Sequence, residues 1–341
     1  MPSFVRTIVY KVIYYVVIWF VAVSVAFAIP RLLPYNAVEY LVLQMESSLA
    51  HGGAAVNPLY LKEATSYIED LFGTNKPVWE QYIDFWDNLF HGNLGISIIF
   101  FPKPVSQVIA EALPYDLLLL LPSTITAWVI GNLVGAYVGY RKTGTLSDRA
   151  TMITFTALNN IPFFILALIL VIFFSIDLRW LPPTGYTFSA IPKLTWQYIP
   201  IFLRHWILPY FSVTIVSLGG WALGMRGLII NEKNSDYMNY GEALGMKQSV
   251  LSRYAMKNAF LPQVTGLALS LGTIVGGSYV LEFIFEYPGM GYIMGYAATA
   301  NDYITVQGVF VVIATVVLLA NLIVDILYYV LDPRVRAAEV S

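Results

Sequence analysis

Six runs of this chain are apolar and free of charge for roughly 18 residues or more, the length a helix needs to cross a bilayer. They cover residues 12–29, 117–140, 150–176, 206–225, 261–281 and 303–324. Within a bilayer no water reaches the backbone, so each run must satisfy its own N–H and C=O groups, and that predicts helices. The runs are also too long for barrel strands of about 9–11 residues. The expected fold is an all-α membrane protein of six transmembrane helices, with a long extracytoplasmic segment after the first. Composition agrees, with 58% hydrophobic and 12% charged residues against about 25% charged in a soluble chain. A net charge of −2 excludes nucleic acid as a partner. The absence of cysteine removes disulfides, thiolate nucleophiles and Cys-type zinc sites.

The first run competes with a cleaved signal, because Arg6 and Lys11 precede it and Ala26-Phe27-Ala28 resembles a processing site. It is longer than a signal core of about 7–15 residues, and it ends at Pro30 and Pro34 as a helix entering a loop would. Basic residues set the orientation. With the N-terminus inside, the cytoplasmic side receives 12 of the 19 Lys and Arg residues, including Arg141, Lys142, Arg149, Arg226, Lys233, Lys247, Arg253 and Lys257. Both termini and the polar island 226–260 are then expected to be cytoplasmic. The predicted organisation is residues 1–33 (N-terminus and first helix), 34–116 (extracytoplasmic), 117–331 (a five-helix core carrying the island) and 332–341 (cytoplasmic tail).

The segment 34–116 holds ten acidic and three basic residues, the balance of an ordinary solvated surface. Residues 58–72 and 78–90 have helical amphipathic spacing. In the second, Trp79, Tyr82, Phe85, Trp86 and Phe90 share a face suited to packing on the bundle or the headgroup layer. Residues 177–205 read as a proline-rich irregular loop, and 282–302 as a short loop turning at Pro288-Gly289. Glycines recur every four residues at 131, 135 and 139, at 220 and 224, and at 272 and 276. Such ladders let helix backbones approach, within one subunit or between two.

No catalytic constellation is present. His51, His91 and His205 are scattered over outside loops, and no HExxH, GxSxG or phosphate-binding Gly-rich loop occurs. The chain is therefore read as no enzyme, with no nucleotide site and no cofactor of its own. Charges buried in the spans, expected of an ion-coupled carrier, are few. Glu282 lies near the outer end of the fifth span, and Asp325 near the inner end of the sixth, as an interfacial cap or partner for Arg334. Pro122, Pro162 and Pro209 each remove a backbone donor inside a span. At Asn159-Asn160-Ile161-Pro162 two amides at mid-membrane need partners, as a pathway lining or as helix-to-helix hydrogen bonds. Asn159, Asn160, Pro162 and Glu282 are the pathway candidates.

The island centres on Asp236-Tyr237-Met238-Asn239-Tyr240-Gly241-Glu242-Ala243-Leu244-Gly245-Met246. Tyr237, Tyr240 and Leu244 fall on one helical face, and Gly245 can end the short helix in a left-handed conformation. A second helix, 249–260, should lead to Pro262 and the fifth span. An exposed apolar face on such a loop needs cover, from headgroups or from the groove of a soluble partner.

From Glu242-Ala243-Leu244-Gly245-Met246 to Lys257-Asn258-Ala259-Phe260-Leu261-Pro262, the island resembles the coupling loop of binding-protein-dependent ABC importer permeases. Within these it is similar to the first ("B") permease of dipeptide and oligopeptide importers. The likeness spans the chain through Leu71-Phe72-Gly73, Gly92-Asn93-Leu94-Gly95-x-Ser97, Asn160-Ile161-Pro162-Phe163-Phe164, Leu181-Pro182-Pro183, His205-x-Ile207-Leu208-Pro209, Phe285-x-x-Pro288-Gly289-Met290-Gly291 and Leu331-Asp332-Pro333-Arg334. Two departures stand out. The wider motif has Glu six residues before the glycine, where this chain has Asn239, and Glu242 is three before Gly245. The outer segment also carries extra residues around 41–57. The resemblance implies half of a translocation path, completed by a second permease subunit. It also implies two ATP-binding cassette ATPase subunits, gripping Tyr237, Tyr240, Gly241, Ala243, Leu244, Gly245 and Met246, and an extracytoplasmic solute-binding protein. Peptides are the implied substrate; oligosaccharides and nickel are the family's other cargoes. A stand-alone carrier or channel is the reading from another class.

Overall fold

The computed structural model describes residues 2–31, 75–141, 143–183, 195–273 and 279–331, with residues 47, 63, 65 and 66. Most of the expected helix over 58–72 and of the extra residues around 41–57, together with Gly276 and the tail 332–341, lie outside the described residues. Eleven α-helices occur among those described. They are α1 (Pro2–Arg31), α2 (Val78–Phe90), α3 (Val105–Tyr140), α4 (Leu146–Asn160), α5 (Phe163–Leu170, continued by a π-helical turn Val171–Asp177), α6 (Ile199–Lys233), α7 (Asp236–Ala243), α8 (Gln248–Thr273), α9 (Tyr279–Phe285), α10 (Met290–Thr299) and α11 (Tyr303–Leu331).

Helices α1, α3, α6 and α11 each contain a continuous stretch long and apolar enough to cross a membrane. At 1.5 Å per residue the 36 residues of α3 span about 54 Å, so its ends project well beyond a hydrocarbon core of about 30 Å. The expected boundary at 116/117 accordingly falls inside a helix. The run 150–176 is not one straight span. It bends by 97° between Asn160 and Phe163, so the described residues hold four continuous spans, or five with the bent pair counted as one. Of the predicted fifth span, α8 carries 261–273 and α9 resumes at Tyr279, with 274–278 outside the described residues.

The bend has a local cause. A residue before proline is pushed out of the helical region, and Ile161 sits at φ −77°, ψ 122°, followed by Pro162 at φ −58°, ψ 133°. Two successive extended residues redirect the chain. Asn160 Nδ2 donates to the Thr156 carbonyl at 2.7 Å, giving the severed helix end a partner. Pro122, by contrast, leaves α3 unbroken. The carbonyl of Leu118, four residues earlier and deprived of its donor, accepts from Trp206 Nε1 of α6 at 2.9 Å. Pro209 likewise lies inside a continuous α6.

Helices α3 and α6 form the central pair through the glycine ladder. A Cβ on Gly131 would stand 3.0 Å from the Leu218 carbonyl oxygen, and one on Gly139 2.9 Å from that of Arg226. One on Gly135 would collide with the Ala222 carbonyl. This ladder is therefore spent within the chain. At the other edge α1 lies on α11, with Trp19 Nε1 donating to Thr315 Oγ1 at 2.7 Å. Asp325 meets Tyr15 at 3.1 Å and Lys11 at 3.5 Å. Among the described residues its partners lie on the first helix; Arg334, the partner expected from the sequence, lies outside them. The aromatic face of α2 packs on α1: Phe20 and Trp86 stack at 5.0 Å, and Phe27 meets Tyr82 and Phe85 at 5.1 and 5.3 Å. Trp79, placed on that face by spacing, remains exposed. Residues 282–302 hold α10, where only a loop had been expected.

If the α3–α6 approach is as close as described, Gly135→Ala should destabilise the chain by about 1–3 kcal/mol. Gly227→Ala, where a Cβ meets nothing within 4 Å, should be neutral or stabilising by up to about 1 kcal/mol. Thermal unfolding in detergent compares the two, and equal midpoints would refute the packing.

Candidate functional site

Helix α7 has eight residues, fewer than the roughly 12–15 an isolated helix needs in water. Packing holds it in place. Met238, 2% exposed, enters a core cluster with Met225 and Ile229 of α6 and Leu251, Ala255 and Ala259 of α8. Gly241 is buried beside Leu251, whose Cδ2 would lie 2.7 Å from an added Cβ. The helix stops where expected. Gly245 takes φ +73°, its N–H donates to the Glu242 carbonyl at 2.9 Å, and the Met246 N–H reaches the Gly241 carbonyl at 3.1 Å. This pair of reversed bonds is a Schellman stop, whose left-handed residue suits glycine. The second island helix is longer than expected: α8 runs through Pro262 without interruption.

The predicted outer face divides in two. Tyr240 and Leu244 are 67% and 64% exposed, and Ala243 and Met246 also face outward. Tyr237 is also exposed, at 41%, but its hydroxyl is tied down. Its hydroxyl donates to Glu232 at the end of α6 and accepts from Asn258 Nδ2 of α8 at 3.1 Å. Partial burial, and then the bond to Glu232, hold its phenol above the ordinary pKa, so it stays a donor and ties α7 to both neighbouring helices. Glu242 accepts from Gln248 Nε2 at 3.1 Å. The buried face of Met238 and Gly241 was absent from the sequence reading. Its signal is the complement of the exposed stripe, three residues apart on the opposite side of the helix.

Beneath α7, Arg226 of α6 forms a fork with Asp148, Nη2 to Oδ1 at 2.8 Å and to Oδ2 at 3.1 Å. Asp148 Oδ2 also accepts from the Gly144 N–H at 2.9 Å, and Thr145 caps α4 through the Asp148 N–H at 3.2 Å. The connection from α3 to α4 is thereby fastened to the helix that leads into α7. Arg226 had been counted only as a mark of orientation.

At the opposite end of the bundle the polar groups are structural. Glu282, a pathway candidate, is fully buried and so is Asp116. The Met290 N–H donates to the two Asp116 oxygens at 3.1 and 3.2 Å, and the Tyr292 N–H to Glu282 Oε2 at 3.2 Å. Both carboxyl groups close over Gly289 onto the electropositive start of α10. Asp302 similarly accepts from Ser97 Oγ and the Ile98 N–H, each at 2.8 Å, and caps α11 through the Thr305 N–H at 3.0 Å. Of the other pathway candidates, Asn159 and Asn160 are exposed at the bend beside Pro162, with Asn159 Oδ1 against Gly220 of α6. Among the described residues no group of three His, Asp or Glu could hold a metal ion.

Residues 131–337 match the family described as binding-protein-dependent transport system inner membrane components. The chain belongs to this family. The match begins at the first glycine of the α3 ladder and takes in the bend, the Arg226–Asp148 fork and α7. Among curated relatives, the permease is 34% identical over 268 residues to an oligopeptide transport system permease protein of Bacillus subtilis, covering 78% of this chain and 83% of that one. It is 31% identical over 325 residues to a di/tripeptide transport system permease protein of Pseudomonas aeruginosa, covering 91% and 92%. An oligopeptide permease protein of Haemophilus influenzae is 32% identical over 279 residues, covering 81% and 87%. The permease is a multi-pass membrane protein.

The packing of α7 predicts a separation of roles. Met238→Ala should release the short helix, at a cost of about 2–4 kcal/mol for a buried methionine, raising amide exchange across 236–246. Leu244→Ala, on the exposed side, should leave exchange there within a few tenths of a kcal/mol.

Proposed function

We propose that this permease forms half of the translocation path of an ATP-driven importer of dipeptides and oligopeptides, and that α7 is where the ATPase subunits act on it. The observation that carries the reading is a helix too short to stand alone, anchored by Met238 and Tyr237 to α6 and α8, with Tyr240 and Leu244 left bare. Such a face suits a groove in a soluble partner. A push on it is delivered through packed side chains to two membrane helices. Two ATPase subunits hydrolyse ATP, a second permease completes the path, and an extracytoplasmic binding protein delivers solute. Both termini and α7 lie in the cytoplasm, as the basic residues favour. Tyr240, Ala243, Leu244 and Met246 meet the ATPase, while Tyr237, Gly241 and Gly245 hold the helix in shape. Asn159, Asn160 and Pro162 border the path at the bend. Peptide as cargo is supported by the names that the relatives carry.

Leu244→Glu should insert and fold normally yet abolish transport and co-purification with the ATPase subunits; unimpaired transport would sink the docking assignment. Because the chain has no native cysteine, Lys247→Cys provides a clean topological probe. A membrane-impermeant thiol reagent should label it only in inverted vesicles. For cargo, thermal shifts of the cognate binding protein should respond to peptides; a response to oligosaccharides alone would reassign the substrate.

A further inference from the structure

A cavity of about 540 Å³ opens between α3, α6 and α8, directly beside the α7 module. Its lining is sorted by polarity. One end carries Arg141 at the close of α3, and Ser249, Ser252 and Arg253 in the first two turns of α8; the other carries Leu133 and Met256. The positive end is under-used by the protein itself. The Arg253 guanidinium and the Ser249 hydroxyl meet no partner among the described residues, and the Arg141 guanidinium meets only Tyr137 there, through its hydroxyl and, at 4.2 Å, the face of its ring. Ser252 Oγ donates to the Ser249 carbonyl at 3.1 Å. The neighbouring acid Glu242 is engaged by Gln248. The wall is braced by Tyr140, whose hydroxyl donates to Gln248 Oε1 at 2.8 Å and whose carbonyl accepts from Lys233 Nζ at 3.0 Å. Two guanidinium groups and a hydroxyl at the start of a helix match the chemistry of a phosphate.

The apolar end identifies what carries that phosphate. Ile130, Leu133 and Tyr137 are exposed and follow one another on one face of α3, a track leading from the bilayer to the mouth of the cavity. A soluble ATPase cannot reach this track, and free phosphate would leave it bare. We propose that the cavity holds the headgroup of an anionic phospholipid of the cytoplasmic leaflet, with Arg141 and Arg253 pairing its phosphate and an acyl chain lying along Ile130 and Leu133. The leaflet assignment rests on the orientation in the proposed function. Basic pockets between helices on that side suit anionic lipid. The lipid would fill the space behind the start of α8, the helix against which α7 is packed.

The test is native mass spectrometry of the full-length protein titrated with phosphatidylglycerol, phosphatidylcholine or inorganic phosphate. Phosphatidylglycerol should bind at one saturable site, preferred over phosphatidylcholine and not displaced by inorganic phosphate at equal concentration. Each arginine lost should weaken it about fivefold, so Arg141→Gln with Arg253→Gln should lose roughly 25-fold. Arg141→Lys with Arg253→Lys should retain most binding, and all variants should show unchanged thermal unfolding. Equal binding by the double Gln variant, or displacement by inorganic phosphate, would overturn the proposal. So would protection of Ser252→Cys from thiol labelling by ATPase subunits in lipid-free detergent, which would give the cavity to the ATPase. Labelling of Lys247→Cys from outside would instead strike the orientation itself, leaving the lipid titration to be read on its own.

Discussion

The close approach of α3 and α6 supports most of what surrounds it. Between helices in a bilayer the hydrophobic effect offers little, because lipid tails are as apolar as leucine, and contact at short range must hold the pair together. Glycines at 131, 135 and 139 let the backbones meet, with the carbonyls of Leu218, Ala222 and Arg226 opposite them. The same contact lets Trp206 Nε1 reach the Leu118 carbonyl that Pro122 leaves without a donor. Both helices therefore continue past the bilayer, and α6 delivers the chain into α7 in a fixed direction.

The buried carboxyl groups of the bundle share one use: each meets backbone that a helix end leaves unpaired. Asp116 and Glu282 close the start of α10, and Asp302 closes the start of α11 while holding the Ser97 loop. Asp148 collects the Gly144 N–H together with Arg226. Unpaired backbone in a low-dielectric interior is costly, and a buried carboxyl group that accepts its N–H groups removes that cost while finding donors of its own. These bonds help explain why α9 and α10 can exist as short pieces, since irregular backbone in a membrane protein is tolerated when buried in protein.

What was legible in the sequence depended on whether one segment decided the outcome. Four of the charge-free runs, the helix Val78–Phe90 and the stop at Gly245 are local properties, and the structure reproduces them. The difference between Pro122 and Pro162 is not local. Both remove a donor, but only Pro122 has a tryptophan from another helix waiting for the freed carbonyl, and single-segment reasoning cannot see it. The same limit hid the burial of Met238, which needs Leu251 and Ile229 from two other helices. It also hid the use of Glu282, whose donors come from α10. The approach of Lys11 to Asp325 was hidden for a related reason: only the pairing of α1 with α11 brings the two together.

The mechanical consequence lies in how few bonds join α7 to the bundle. An eight-residue helix has little stiffness independent of its mounting, so a load applied to Tyr240 and Leu244 would pass chiefly through Met238 into the α6–α8 core, with Tyr237 to Glu232 and Asn258 and Glu242 to Gln248 as hydrogen-bonded links. The first route is apolar packing, which resists displacement steeply because interiors are close-packed. The second is a hydrogen-bonded link near solvent, which can exchange with water at small net cost. Packing therefore carries the load, and the tyrosine sets the angle at which it arrives. Arg226 lies one turn from Ala222, where α3 and α6 touch most closely, and its fork to Asp148 joins the same helix to the arm that ends at the Pro162 bend. A displacement of α6 at the end that leads into α7 is thus shared with both α3 and α4, and the two parts of the bent span receive it on opposite sides of their hinge.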